Sequence, residues 1–286
     1  MANIRDIRRR IKSVRNTGQI TKAMKMVAAA KLRRAEEAMM RSRPYAGKLE
    51  EVVCALARRS GDNPGLLLTE KEEKNIRIIV VTADRGLCGA FNSNLLRAAL
   101  AFIRGKSAAG GEITVDIVGR RGRDFFRRRE YRTGRIWIGV SSKPEYDKAA
   151  EIAEHASGLF LNGECDAVYL VYNEFKTLIT QKIMTKRLLP FCKEEAHTTF
   201  EERFIFEPSE EKVLGALLPK QLAFTMYQAL LESYASEQGA RMAAMENATR
   251  SAKDMIDKLT LYMNRVRQAA ITKEIIEVVS GAEALS

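Results

Sequence analysis

The chain has 286 residues, of which 46% are hydrophobic and 29% are charged. This composition supports a folded core and excludes a mainly disordered protein. The formal net charge is +12, and the first 60 residues hold 16 Lys and Arg against 5 Asp and Glu. Nearly all of the excess positive charge therefore lies in one fifth of the chain, which favours an acidic partner for the N-terminal segment.

Membrane and metal-site signals are weak. No apolar run approaches the roughly 20 residues that cross a bilayer. The N-terminus alternates Ile with Arg and lacks an apolar secretion signal, so we expect a chain kept in the reducing cytosol. The four cysteines are 34, 77 and 27 residues apart, and neither histidine has neighbours at metal-ligand spacing. We therefore expect no metal site, no disulfide framework, no cofactor and no His-based catalysis.

The N-terminal segment is predicted to be a long helix with one narrow apolar stripe. Apolar residues recur every three or four positions from Ile4 to Met39, with a polar interval at Gly18, Thr21 and Lys25. Pro44 is expected to bend or end the regular helix. Because the stripe is narrow for so long a helix, a partner helix is expected to cover it.

The middle of the chain changes its period. Short β-branched runs alternate there with helical stretches, which is typical of an open α/β sheet. The predicted strands and helices follow in the order 76–81, 92–104, 113–118, 122–130, 136–138, 144–161 and 167–172. A last alternating run, 182–188, is expected to pair antiparallel with the strand before it.

The C-terminal part is predicted to be a second long helix. Steps of three and four from Leu214 to Ala270 visit seventeen positions, of which thirteen are apolar. A repeat of this length is typical of a left-handed coiled coil. Polar residues interrupt the seam; such residues lower the stability of a coiled coil but fix the register of its helices. They are Gln221, Gln228, Gln238 and Thr249.

The expected architecture is an α/β fold plus a long antiparallel α-helical coiled coil. An open, Rossmann-like α/β domain is inserted between the two coiled-coil helices. We expect an N-terminal shaft helix at 1–60, the inserted α/β domain at 61–209 and a C-terminal shaft helix at 210–286 that pairs with 1–60.

Three motifs could bind phosphate or nucleic acid. Gly105-Lys106-Ser107 resembles the end of a P-loop, but residue 100 is Leu where the motif needs Gly. The turn at 82–92 lies between a strand and a helix, yet it lacks the dinucleotide spacing, and a tight structural turn is the favoured interpretation. Eight arginines between Arg120 and Arg135 could bind nucleic acid or anionic lipid, or form a solvated helix face.

Four segments match motifs of a known family. Residues 271–282 read ITKEIIEVVSGA, residues 20–28 read ITKAMKMVA and residues 84–89 read DRGLCG. Together with residues 235–245, these segments resemble the C-terminal signature, the two shaft sequences and the α/β-domain turn of the gamma subunit of F-type ATP synthases. The resemblance runs from the first residues to the last.

The resemblance implies a central rotor subunit with no catalytic residue of its own. It would couple rotation of the c-subunit ring to conformational changes at the beta-subunit sites that make ATP. The implied partners are the hexamer of alpha and beta subunits, the epsilon subunit and the c ring, with no nucleic acid and only indirect membrane association through the c ring. The implied location is peripheral, on the cytoplasmic side of the bacterial plasma membrane. The cysteine-containing insertion of chloroplast relatives is absent, which favours a form without thiol switching.

The resemblance also implies three contact regions. The first faces the collar of alpha and beta subunits and comprises Lys22, Met24, Lys25, Arg265, Arg267, Gln268, Thr272 and Glu274. The second is a bearing tip formed by Ile275, Ile276, Val279 and Leu285. The third is a foot near epsilon and the c ring, formed by Phe204 and Phe206.

Two other classes of protein stay open. A basic coiled-coil nucleic-acid-binding protein would bind DNA through residues 1–60 and their partner helix, with a steep salt dependence. An α/β enzyme that uses the turn at 82–92 would bind a nucleotide in its central domain. Neither class accounts for the C-terminal signature.

Overall fold

The computed structural model describes residues 4–59, 66–177, 181–191, 207 and 209–283. Helix α1 spans Ile4–Arg59 and helix α5 spans Glu210–Glu283. The strands between them are β1 Asn75–Val81, β2 Glu112–Val118, β3 Thr133–Trp137, β4 Ala167–Phe175 and β5 Gln181–Leu189. The other helices are α2 Phe91–Ala108, α3 Arg120–Phe126 and α4 Tyr146–Leu161, with short 3₁₀ turns at Leu66–Leu68 and Val140–Ser142.

The five strands form one mixed sheet in the order β3-β2-β1-β4-β5. The strands β1 to β4 are parallel, and β5 runs antiparallel to β4. Parallel strands read as continuous apolar runs because helices cover both faces of the sheet. The run Ile78–Val81 in β1 is accordingly buried throughout. The structure confirms the predicted open α/β sheet and its antiparallel last strand.

Two apolar cores lie on the two faces of the sheet. On one face, Leu95 and Ile103 of α2 and Phe126 of α3 pack with alternate strand residues such as Ile78. The other face is covered by α4 together with parts of α1 and α5. Leu56, Ile152, Leu218 and Leu222 belong to this second core. The sheet is therefore the middle layer of three.

The chain forms two compact units, Ala29–Arg241 and Met1–Ala28 with Met242–Ser286. Within the first, α1 and α5 meet where Leu32, Ala35 and Met39 pack against Leu231 and Ala235. Within the second, contacts join residues 18, 21 and 25 of α1 to residues 252, 249 and 246 of α5. In these pairs the α1 number rises as the α5 number falls, so the two helices are antiparallel in this second unit.

Two details of the helices differ from expectation. Of the two outcomes predicted for Pro44, a bend or an end of the helix, the end does not occur, because α1 continues to Arg59. The residues beyond the proline, including Leu49, Val53 and Leu56, are buried against the α/β core, and this burial offsets the lost hydrogen bond. Helix α3 ends at Phe126 rather than near residue 130, where a turn replaces it.

The buried stripe of α5 is wider than a coiled-coil seam in its first half. Leu218, Leu222 and Met226 are fully buried although they lie off the predicted seam. Here α5 packs on the sheet as well as on α1, and a helix with two neighbours buries a broader face. None of the described helices is long and apolar enough to cross a membrane.

Candidate functional site

The first half of the predicted collar contact lies on α1, in the unit that contains residues 1–28. Lys22 is exposed, whereas Met24 and Lys25 are half-buried. The ammonium group of Lys25 forms an ion pair with the carboxylate of Glu246 on α5. The hydrogen bond from Lys25 lowers the pKa of Glu246. Lys25 thus also joins the two helices.

The polar interval of α1 faces α5. The hydroxyl oxygens of Thr21 and Thr249 are 2.7 Å apart, so one donates a hydrogen bond to the other. A Cβ atom on Gly18 would lie 3.5 Å from the Cβ of Ala252. The interval that interrupts the apolar stripe is therefore part of the helix contact. Sequence reasoning missed this pairing because it counted only apolar positions.

The second half of the predicted collar contact lies on α5. Its five members are all exposed: Arg265, Arg267, Gln268, Thr272 and Glu274. At 100° per residue, Arg265, Gln268 and Thr272 share one face of the helix, and Arg267 and Glu274 lie on the opposite face. A surface that touches all five must surround the helix.

The tip residues are exposed apolar side chains. Ile275, Ile276 and Val279 keep 57%, 58% and 57% of their surface accessible. The register of α1 on α5 would place Ile4 opposite residue 266, so residues 267–283 continue past the described start of α1. Leu285 of the tip and the foot residues Phe204 and Phe206 lie outside the described residues.

Two of the family-like segments meet in the other unit. A guanidinium nitrogen of Arg241 on α5 donates to the backbone carbonyl of Gly86 in the turn, over 3.2 Å. The same guanidinium is 2.6 Å from the carboxylate of Glu237, and both side chains are at least 90% buried. Burial raises the pKa of Glu237, and the attraction of Arg241 opposes that rise. A buried charge without its partner would be strongly destabilising, so this pair holds the turn to the helix.

The turn itself is held by its own side chains. The carboxylate of Asp84 accepts hydrogen bonds from the backbone of Arg120 at 3.0 Å, the backbone of Gly139 at 3.1 Å and the hydroxyl of Ser141 at 2.7 Å. The side-chain oxygen of Asn92 accepts from the backbone of Ala83 at 2.9 Å. These bonds join three loops at the carboxyl edge of the parallel strands. They favour the structural interpretation of the turn over a phosphate site.

The P-loop-like segment contains Lys106, whose side chain makes structural contacts. Lys106 lies within α2, and its ammonium group donates to Glu73 at 2.5 Å and to the hydroxyl of Tyr169 at 3.0 Å. A P-loop lysine must instead face a loop that holds phosphate. The geometry gives no support to nucleotide binding at this motif.

Sequence reasoning also missed a buried carboxyl group on α5. One carboxylate oxygen of Glu232 is buried without a hydrogen-bond partner among the described residues. Burial raises the pKa of Glu232 to about 7, and the nearby Glu174 carboxylate adds to the rise. Positive charges on Arg43, Lys176 and Lys186 oppose it. Charged residues in a sequence are normally read as exposed, so no signal pointed to this one.

Comparison with known proteins decides the family. A family model described as ATP synthase matches residues 3–285. The ATP synthase gamma chain of Solibacter usitatus is 51% identical, with 99% of each chain covered. That of Pelotomaculum thermopropionicum is 50% identical, with 100% of each chain covered. The chain belongs to the ATP synthase gamma-chain family.

Solved structures agree with this family. The central stalk of the Tetrahymena thermophila mitochondrial ATP synthase is similar with a TM-score of 0.61 at 27% identity, covering 80% of this chain and 99% of that one. The rotor of the Euglena gracilis enzyme is similar in fold, with a TM-score of 0.68 at 22% identity over 94% of this chain and 98% of that one. As a gamma chain, this protein is a central-stalk component of a complex that is itself catalytic. The resemblance is confirmed, and the nucleic-acid-binding alternative is not favoured.

Proposed function

We propose that this gamma chain is the non-catalytic rotor shaft of a bacterial proton-translocating ATP synthase. In this proposal it turns with the c ring inside the collar of alpha and beta subunits and binds epsilon near its base. It is a peripheral subunit on the cytoplasmic side of the plasma membrane. Residues 1–60 and 210–286 act as the shaft, and residues 61–209 as the inserted domain.

The observation that carries the proposal is the exposure of α5 after residue 266. After residue 266 the Ile and Val side chains lie on one side of the helix, the charged side chains of residues 267–277 lie on the other, and each described residue from 271 to 281 is exposed. Soluble proteins rarely leave such apolar surface open without a binding partner. A collar that encloses the helix would contact both faces that carry the predicted residues.

The charges of the N-terminal helix suit a part that moves past its neighbours. Arg8, Arg9 and Lys12 are exposed on α1. Exposed ion pairs contribute little each and are screened by salt. Contacts of this kind can form and break at successive positions of a collar without trapping the shaft.

The α/β unit supplies a firm attachment to the shaft helices. The buried pair Glu237–Arg241 and the apolar core that α5 shares with the sheet hold the domain to the helix. Force applied to the domain would therefore be transmitted to α5 with little movement of the domain relative to the helix. From there it would pass along the continuous backbone of α5.

The test is single-molecule rotation in a reconstituted complex. The full chain is assembled with alpha and beta subunits, the collar is fixed to a surface, and a bead is attached through a cysteine introduced at exposed Lys148. We expect stepwise rotation of the bead on addition of ATP. Assemblies of alpha and beta without this chain serve as the control. Stable assembly with ATP hydrolysis but a stationary bead would refute the rotor role.

The proposed absence of a catalytic residue has its own measurement. The isolated full chain should show no ATP hydrolysis above the buffer rate, and hydrolysis should begin only when the beta subunit is present. Hydrolysis by the isolated chain that is lost on changing a residue of this chain would contradict the proposal.

A further inference from the structure

A basic groove lies between α2 and α3, on the sheet face opposite to the one that α4 and the long helices cover. Its volume is about 660 Å³. Four arginines line it: Arg97 on α2, Arg121 on α3, and Arg128 and Arg129 directly after α3. The rotor role described above makes no use of this face.

The floor of the groove is apolar. Leu96, Leu100 and Phe125 contribute to it. The guanidinium carbon of Arg129 lies 3.7 Å from the centre of the Phe125 ring, and the same side chain donates to the carbonyl of Phe125 at 3.1 Å. Stacking of this kind holds a guanidinium in place while its remaining donors stay available. The groove thus combines a positioned basic rim with an apolar floor.

The positive charge of the rim is poorly compensated. Asp124 is the one acidic residue that lines the groove, and it pairs with Arg123, which is outside the lining, at 2.7 Å. In the part of the chain that the structure describes, none of the four rim arginines has a carboxylate oxygen within 4.0 Å. An incoming group with negative charge would meet unpaired guanidinium groups.

We propose that this groove binds an acidic amphipathic helix of a partner protein. Guanidinium groups pair with carboxylates in a two-point geometry, and the apolar floor receives the apolar side of a helix laid into a groove. Duplex nucleic acid and the headgroup layer of a membrane both offer charge to the rim but no apolar side to such a floor. The combination of rim and floor therefore favours a protein segment.

The first test measures binding of a synthetic peptide to the full chain. The probe is a fluorescein-labelled helix of about 18 residues, or five turns, with Leu along one face, Glu beside that face, and Ala and Gln at the other positions so that like charges do not unfold it. A peptide of the same composition in scrambled order is the control for recognition of the apolar face. Binding is followed by fluorescence anisotropy at about 0.1 M salt, where long-range attraction is largely screened.

Matched variants separate the groove from general charge. The groove variant is Arg97→Ser with Arg128→Ser. The control variant is Arg104→Ser with Arg127→Ser, which removes one exposed arginine from α2 and one from just after α3, both outside the groove lining. We expect the groove variant to weaken binding about tenfold, as loss of two charge contacts of moderate strength implies, and the control variant to weaken it less than about twofold.

Several results would overturn the proposal. Equal losses in both variants, or equal binding of the scrambled peptide, would indicate attraction by net charge alone. Failure of the unmodified chain to bind the ordered peptide, or tighter groove-dependent binding of a DNA duplex or of anionic vesicles, would also refute it.

The second test uses the assembled ATP synthase. A photo-crosslinking amino acid replaces Ser93, an exposed residue at the edge of the groove. We expect a crosslink to an acidic, Leu-containing peptide of another protein, identified by mass spectrometry and lost in the Arg97→Ser/Arg128→Ser background. Crosslinks that persist in that background, or that reach only lipid, would contradict the proposal. Neither test depends on rotation, so their failure is distinguishable from failure of the rotor role.

Discussion

We predict that the stability of the folded chain depends on pH through the buried carboxyl group of Glu232. Its carboxyl group is buried between α5 and the sheet, and its pKa rises from 4.5 to about 7. Because the folded state holds the proton more tightly than the unfolded state, this group favours folding below pH 4.5. That contribution is lost as the pH rises through 7. The variant Glu232→Gln has no charge to bury at any pH, so it should become relatively more stable as the pH rises.

The magnitude follows from the size of the shift. A shift of about 2.5 pKa units corresponds to about 3 kcal/mol when the group is fully ionised in both states. Between pH 5 and pH 8 the two pKa values give a change of about 2.5 kcal/mol. Glu232→Gln should therefore gain about 2.5 kcal/mol over the unmodified chain across this interval. Other titrating groups act equally on both proteins and cancel in the difference.

The assay is urea unfolding of the full chain, followed by the fluorescence of Trp137. This residue is the only tryptophan, and it lies buried in the same unit as Glu232. The matched control is Glu50→Gln, which changes an exposed glutamate on α1 of that unit. The control should show a difference from the unmodified chain that does not change with pH. If the stability difference for Glu232→Gln is also constant from pH 5 to pH 8, the reasoning about the buried carboxyl group is wrong.

Three further predictions concern the helix contacts. Arg241→Ala leaves Glu237 buried without its partner and should lower the free energy of unfolding by about 3–5 kcal/mol in the Trp137 assay. The double variant Glu237→Leu/Arg241→Met buries no charge and should recover most of that stability. Equal loss of stability in both variants would refute the pairing argument. Gly18→Ala places its Cβ at an ordinary contact distance from Ala252 and should stabilise the helix by about 1 kcal/mol. The measurement is amide hydrogen exchange across residues 14–22, which should become slower. Faster exchange would contradict the packing. Thr249→Val removes one hydroxyl of the Thr21–Thr249 pair and should lower stability by about 1 kcal/mol in thermal unfolding followed by circular dichroism. Adding Thr21→Val should restore part of the lost stability, because no unpaired hydroxyl is then left. Strictly additive losses would argue against the hydrogen bond.

Periodicity was sufficient to predict the layers of the α/β domain. The buried runs in β1 and β4 have the continuous apolar character that parallel strands require, and a helix lies between each two successive strands from β1 to β4. The seam of α5 was also predictable where α1 is its main neighbour, as at Leu231 and Ala235. At Leu218 and Leu222 it was not, because burial there depends on the sheet as a second neighbour.

The polar contacts were beyond the reach of pattern reasoning. Thr21 and Thr249 are 228 positions apart, and only the register of two helices reveals that they meet. Likewise, Glu237 and Arg241 resemble an exposed pair one turn apart, yet both are buried against the turn at Gly86. The proposed collar and tip residues came from family resemblance, and their assignment to partner contacts remains a prediction.

The length by which α5 exceeds α1 has a consequence for assembly. Residues 267–283 form a helix of 17 residues with little to pack against in the described chain, apart from local pairs such as Lys273–Glu277 at 3.4 Å. Isolated helices of this length are only marginally stable in water, because nucleation is costly and burial supplies most helix stability. In a free subunit this stretch would therefore exchange between helix and coil, and under the proposed collar contact it would become fully helical only in the assembled complex. Folding of the last turns and assembly of the complex would then be one coupled event, and the last turns would be ordered only in complete complexes.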